Sequence, residues 1–267
     1  MKRVNHKGLI ILIISVCIFA FILWRYLIFS KKDDPDINVD VSSTLETVAI
    51  DPDLLLSSNI TYTTKAANDN IPASYELNIP YICQYPELPT GCEITALTEA
   101  LVYLGYDIDK EDLARSYLPM SYDVKPGCFI NYFLGSPWKT NGSGCFAPAI
   151  ASAANSFLLD AGSDYRAQVI SYSAVNALFD EISQGHPVIV WTSYNYEQPS
   201  VTYKDIDLGN GQYFSWPQNE HCVALSGYNL DDNTVTLADP AYGTITKSIE
   251  EFTYYYQRYY YQAVVIR

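Results

Sequence analysis

An α+β domain preceded by one transmembrane helix is the architecture this chain predicts, on three observations. A nearly unbroken apolar block lies close to the N-terminus. Apolar residues recur at helical spacing within 92–118 and 148–184, and strand-like runs dominate from 187 to 266. Helices first and strands afterwards give the α+β order, a helical part packed on an antiparallel sheet, whereas a parallel sheet would alternate the two.

The apolar block spans 8–24 and continues past Arg25 to Phe29, long enough to cross a bilayer. Lys2, Arg3 and Lys7 precede it and favour a cytoplasmic N-terminus. No small-x-small cleavage site follows, and Ile14-Ser15-Val16 before Cys17 makes a poor lipid-attachment context. Residues 1–30 therefore read as an uncleaved cell-membrane anchor, single-pass, with the remainder extracellular. Residues 31–74 are rich in Asp, Ser, Thr, Asn and Pro and read as a disordered acidic stalk. Residues 75–267 are enough for one compact domain.

Within that domain, Leu77, Ile79, Tyr81 and Cys83 alternate as an extended lead-in strand. From Cys92, the side chains of Ile94, Leu97, Leu101 and Leu104 share a helical face that Gly105 closes. Asp109 opens a second, short helix, and 120–147 reads as a long loop rich in Gly, Pro and Asn. Pro148 starts a third helix, and a fourth over 173–184 precedes a strand at 187–192. After a tyrosine-rich excursion come strands beginning at His221, over 235–239 and over 263–266. The 24 tyrosines concentrate in this second half and predict half-buried sheet surfaces, or an aromatic binding face.

A net charge of −14 argues against nucleic acid as a partner and against capture by anionic lipid. Outside the anchor stand five cysteines, Cys83, Cys92, Cys128, Cys145 and Cys222, so at least one is unpaired in an exported domain. Cys92 is the expected free thiol. Cys128 and Cys145 bracket the loop as a plausible disulfide, while Cys83 and Cys222 either pair or remain buried thiols.

Cys92 is where the chemistry concentrates. A thiol attacks only as its thiolate, and the N–H dipoles of a helix start favour that anion. Gly91 leaves room for substrate beside it. The Cys92 N–H and the Gln84 side-chain amide offer two donors to an oxyanion. His221 can take the thiol proton, and Asp239 can fix the ring's tautomer. A symmetric hairpin about Asp232 sets Asp239 opposite Leu225, so a bulge, a strong twist or a longer loop must bring it to His221. Each residue also has a structural reading: a buried thiol, a strand histidine, an Asp-Pro turn. The conjunction in this order is what favours catalysis. His186 and His6 are weaker candidates, and no metal-ligand spacing, phosphate loop or cofactor motif is evident.

These residues resemble those of the papain-like cysteine peptidases, specifically the bacteriocin-processing (double-glycine) peptidase family. The shared marks are Gln84 before Thr90-Gly91-Cys92-Glu93, the helix ending Tyr103-Leu104-Gly105, the strand His221-Cys222-Val223-Ala224-Leu225-Ser226-Gly227-Tyr228, and Asp239-Pro240. Phe133-Leu134-Gly135-Ser136-Pro137-Trp138 and Gly144-Cys145-Phe146-Ala147-Pro148 are similar to that group's middle loop. The resemblance implies a papain-like fold with a Cys92 nucleophile, His221 base, Asp239 orienting acid and Gln84 oxyanion donor, acting on a peptide or protein through a thioester. Leader peptidases of this group are fused to an ABC exporter, whereas this chain has one anchor and no ATPase motif; Glu93 stands where many of them have glycine. Alternatives are a thiol transpeptidase, or a non-catalytic surface binding module that retains a relic of the site.

Overall fold

The computed structural model describes residues 70–123, 128–194, 196, 203–207 and 213–267. The anchor expected over 1–30 and the stalk as far as residue 69 lie outside these residues, among which no helix is long and apolar enough to cross a membrane.

In chain order the elements are β1 (Ser74–Glu76), α1 (Cys92–Tyr103), α2 (Lys110–Tyr117), β2 (Met120–Ser121), α3 (Cys128–Asn131), β3 (Phe133–Leu134), α4 (Ala147–Asp160), β4 (Ala167–Val169), α5 (Val175–Ser183), β5 (Val188–Ser193), β6 (Tyr203–Asp207), β7 (Tyr213–Pro217), β8 (Glu220–Asn229), β9 (Thr234–Asp239), β10 (Gly243–Ser248), α6 (Ile249–Arg258) and β11 (Ala263–Ile266). The main sheet runs β10-β9-β8-β5-β11-β4, with β1 also paired to β8, and every neighbouring pair is antiparallel. This is the α+β arrangement predicted. The strand β8 organises it: β5 pairs with residues 220–225, β1 with 227–229, and β9 with the opposite edge from Ala224 onward.

Helix α1 packs on β8 and is buried on all sides through its first ten residues. Its hydroxyls are satisfied locally: Thr95 Oγ1 donates to the Gly91 carbonyl and Thr98 Oγ1 to the Ile94 carbonyl, both at 2.8 Å. Leu97 and Leu101 are fully buried, and each contributes roughly 1.5–3 kcal/mol. Gly105, at φ +93°, lets the chain leave the helix. Asp109 caps α2 by accepting from the Glu111 and Asp112 N–H groups, as its position predicts.

Several expectations need correction. The strand expected over 77–83 is β1, set earlier. Leu77 still bonds Ser226 through the backbone, but the Ile79 N–H turns to the Ser226 hydroxyl, and Pro80 has no N–H to continue a ladder. Residues 71–73, read as stalk, lie against the sheet: Ala73 accepts the Leu230 N–H, and the Tyr228 hydroxyl donates to the Pro72 carbonyl. The expected loop over 120–147 contains α3 and the parallel β2–β3 pair. Tyr255, Tyr256 and Tyr259 are buried on or just after helix α6 rather than on strands. Cys145 is a free thiol, so the disulfide expected with Cys128 does not form, and Cys83 and Cys222 take the unpaired alternative, the first half-buried and the second buried.

Candidate active site

The site lies where β9 parts from β8. The ladder between these strands pairs Asn229 with Thr234 and Gly227 with Thr236, then slips, pairing Leu225 with Leu237. Ser226 is the extra residue of this bulge. It is held by donating from Oγ to Glu76 Oε1 at 2.6 Å while accepting the Ile79 N–H at 3.3 Å. Continued past Ala224 and Ala238, the slipped register sets Asp239 across from Val223, on the face of His221 and two residues from it. Without the slip Asp239 would face Ala224, on the opposite face of the strand. The diagonal is short enough for the side chains to meet: His221 Nε2 lies 2.7 Å from Asp239 Oδ1, with both residues fully buried.

Asp239 Oδ1 also accepts the backbone N–H groups of Ala241 and Tyr242, at 2.8 and 3.2 Å. Three donors converge on one oxygen, and His221 is its side-chain partner; Oδ2 has none. The other ring nitrogen, Nδ1, is buried with no hydrogen-bond partner. The Tyr194 ring stands edge-on to the imidazole at 5.3 Å, and its hydroxyl bonds that of Tyr85 at 2.9 Å.

Cys92 opens α1 and is 7% exposed. The β8–β9 ladder begins only at Ala224, and Cys92, on the helix packed against β8, lies close enough to the backbone N–H of Cys222, the residue after His221, for that N–H to favour its thiolate. Its thiol donates to Glu93 Oε2 at 3.4 Å, and His221 Nδ1 does not receive it. The structure thus brings Cys92 and His221 to one stretch of β8 without a hydrogen bond between them. Burial pushes the Cys92 thiol well up, and Glu93 and Glu220 push it further; the Cys222 N–H opposes them. The helix start was expected to favour a thiolate, but in this geometry desolvation and two carboxyl neighbours outweigh it.

Gln84 and Gly91 also differ from expectation. Gln84 is buried, and its backbone N–H bonds the Pro240 carbonyl at 2.9 Å, which ties it to the end of β9. Its side-chain Nε2 donates to the carbonyls of Leu88 and Pro89, at 3.3 and 3.2 Å, while Oε1 has no partner. The amide that would serve an oxyanion is therefore engaged with the backbone. At Gly91 a Cβ would lie 2.9 Å from Leu88 Cβ and 3.1 Å from Pro137 Cβ. The absent side chain admits these two residues rather than a substrate.

Glu93 and Glu220 were not anticipated as a pair. Glu93 Oε1 accepts the Cys145 N–H at 2.7 Å, and the chain passes both carboxyls at Gly144, where a Cβ would meet Glu220 Oε2 at 2.7 Å and Glu93 Oε1 at 2.8 Å. Burial raises both carboxyls, and Glu93 adds to the rise at Glu220. Among the described residues, Cys92, Glu93 and Glu220 form the one group able to hold a metal ion, with ligand atoms within 4.8 Å of one another. No local spacing signals this group, because Glu220 reaches it only through the fold. His186 is remote in role: its Nδ1 pairs with Glu181 at 2.8 Å, and Glu181 also binds Arg267.

The Peptidase_C39 like family matches residues 76–264, most of the chain. Protein YvpB of Bacillus subtilis strain 168, whose function is uncharacterized, is 27% identical over 229 residues, 85% of this chain and 86% of that protein. A crystal structure from Bacillus anthracis, described as a C39-like peptidase, shares 25% identity and superposes with a TM-score of 0.62, covering 73% of this chain and 97% of that one. The peptidase domain of Streptococcus ComA, a bi-functional ABC transporter, shares 16% identity with a TM-score of 0.40 over 71% of this chain and 97% of that one.

Proposed function

The chain belongs to the Peptidase_C39 like family and is a cysteine peptidase; from that premise we propose that Cys92, His221 and Asp239 form its catalytic triad. The observation that carries the reading is the His221 ring: Nε2 is held by Asp239 at 2.7 Å, and Nδ1 is left with a free lone pair or proton. Asp239 favours the tautomer protonated at Nε2, which makes Nδ1 the base.

In the proposed reaction the Cys92 thiol leaves Glu93 Oε2 and transfers its proton to His221 Nδ1. Sulfur then bonds the scissile carbonyl carbon, and the charge passes to the carbonyl oxygen. Collapse of this intermediate breaks the C–N bond, and His221 returns the proton to the leaving amine. Water, deprotonated by the same nitrogen, cleaves the thioester and regenerates the thiol. Gln84 serves the oxyanion if its amide turns from the Leu88 and Pro89 carbonyls; such donors are each worth about 3 kcal/mol in the transition state. The substrate is a peptide or protein, as membership of a peptidase family supports.

The reading includes a membrane anchor over 1–30 and an extracytoplasmic domain, supported by the Lys2, Arg3 and Lys7 charges ahead of the apolar run. Fractionation of cells, with external protease added to intact ones, tests that part; a domain protected from protease contradicts it. For the triad, a thiol-reactive activity probe should label Cys92 in the unmodified protein. Cys92→Ala should abolish labelling, and His221→Ala should slow it at least tenfold. Undiminished labelling in His221→Ala removes the basis of the proposal.

A further inference from the structure

Besides Glu220 Oε1, two buried carboxyl oxygens beside the triad have no hydrogen-bond partner: Oε2 of Glu99 and Oδ2 of Asp239. Both residues are completely buried, and their other oxygens are engaged, Glu99 Oε1 by the Ile82 N–H at 2.9 Å and Asp239 Oδ1 by its three donors. Glu99 lies two turns beyond Cys92 on α1, so helical geometry presents both on one face. The lead-in segment joins the two carboxyls: Ile82 bonds Glu99, and two residues on, Gln84 bonds the carbonyl of Pro240, next to Asp239.

Two bare carboxylates are costly in so dry a space. Burial pushes the Glu99 carboxyl well above the carboxylate range; the Ile82 N–H pulls it down, and the charge of Asp239 pushes it up again. A protonated Glu99 has one O–H to place. Of the neighbouring groups, Tyr81 is exposed, and Cys83 beside it together with burial pushes its hydroxyl up to about 12. Tyr196, whose buried hydroxyl lies beside Thr192 and feels Asp239, is the rival donor.

We propose that Glu99 is a positioning residue for the triad, donating its carboxyl proton to Asp239 Oδ2, directly after a small rotation or through one water. Held at both oxygens, the Asp239 carboxylate cannot swing, and its Oδ1 stays in line with His221 Nε2. The inference rests on the triad reading above. It assigns a role to a residue that touches neither thiol nor substrate.

The test is the pH profile of Cys92 alkylation by iodoacetamide in the full-length protein, followed by mass spectrometry. Glu99→Gln keeps an acceptor for Ile82 and a donor toward Asp239, and should stay within about twofold of the unmodified protein. Glu99→Met removes both and should slow alkylation at pH 7 tenfold or more, while Tyr196→Phe should not. Equal loss in the Gln and Met variants, no loss in the Met variant, or loss in Tyr196→Phe instead overturns the role of Glu99. If His221→Ala leaves the profile unchanged, the triad itself fails, a result distinct from these. Should Glu99→Met not fold, the carboxyl ¹³C shift of Glu99 in the unmodified protein decides: a neutral group at pH 7 sustains the proposal, and an ionised one ends it.

Discussion

Asp239 reaches His221 across a ladder that slips by one residue at Ser226, and the slip decides which face of the sheet carries the carboxylate. The bulge is anchored from β1, whose Glu76 takes the Ser226 hydroxyl at 2.6 Å. A contact between the first and eighth strands thus sets the geometry of the proposed catalytic pair.

Asp239→Asn should therefore be far more damaging to turnover than to folding. The amide keeps the volume but favours the wrong histidine tautomer, so the rate should fall by about 10³–10⁴. Single-turnover kinetics alongside thermal melts would show it; a loss of less than tenfold with an intact fold would argue against the role.

Glu93→Gln should make Cys92 more reactive. The variant removes a carboxyl that pushes the thiol up, yet keeps an acceptor for the Cys145 N–H. Alkylation of Cys92 at pH 8 should rise about threefold or more, since each pKa unit corresponds to about 1.4 kcal/mol between thiol and thiolate. An unchanged or slower rate would show that Glu93 does not govern the thiol.

The buried acids give stability a definite slope with pH. Glu93, Glu99 and Glu220 are all raised in the folded protein, chiefly by burial, so the native state binds more protons than the unfolded chain. Their contribution is complete below the ordinary carboxylate range and is lost as pH rises through the folded values, by at most about 1.4 kcal/mol per pH unit for each group. Urea midpoints from pH 5 to 8 should fall with pH in the unmodified protein and fall less in Glu220→Gln. A steeper fall in the variant would contradict this account.

Gly144→Ala should destabilise the fold. At φ +120° a side chain is strained, and the new methyl would press on both carboxyls. A cost of about 1–3 kcal/mol is expected from chemical denaturation; a neutral result would mean the Glu93 and Glu220 side chains move aside freely.

What was legible in the sequence was what local pattern encodes. Cys92 reads as a helix start because Leu97, Leu101 and Gly105 follow at the right spacing, and His221 reads as a strand residue because seven apolar or small residues follow it. Helix α6 was missed although its signature is present: Ser248 caps it by accepting the Glu251 N–H, a Ser-x-x-Glu pattern overshadowed by the tyrosines. The bulge was anticipated only as a geometric need, because Ser226 is marked by a hydroxyl contact with distant Glu76. Glu99 and Glu220 gave no signal at all, and Glu93 stood out only where many relatives of the resembled group have glycine. A carboxyl in a sequence reads as a solvated group until the fold removes the solvent.

The four-residue strand β11, made last of all the described elements, inserts between β5 and β4 in the interior of the sheet. A ribosome or export channel that still holds residues 263–266 therefore holds back the closure of the sheet beneath the thiol. On the proposed reading, the sheet that carries His221 and Asp239 gains its interior strand only after both residues have been made.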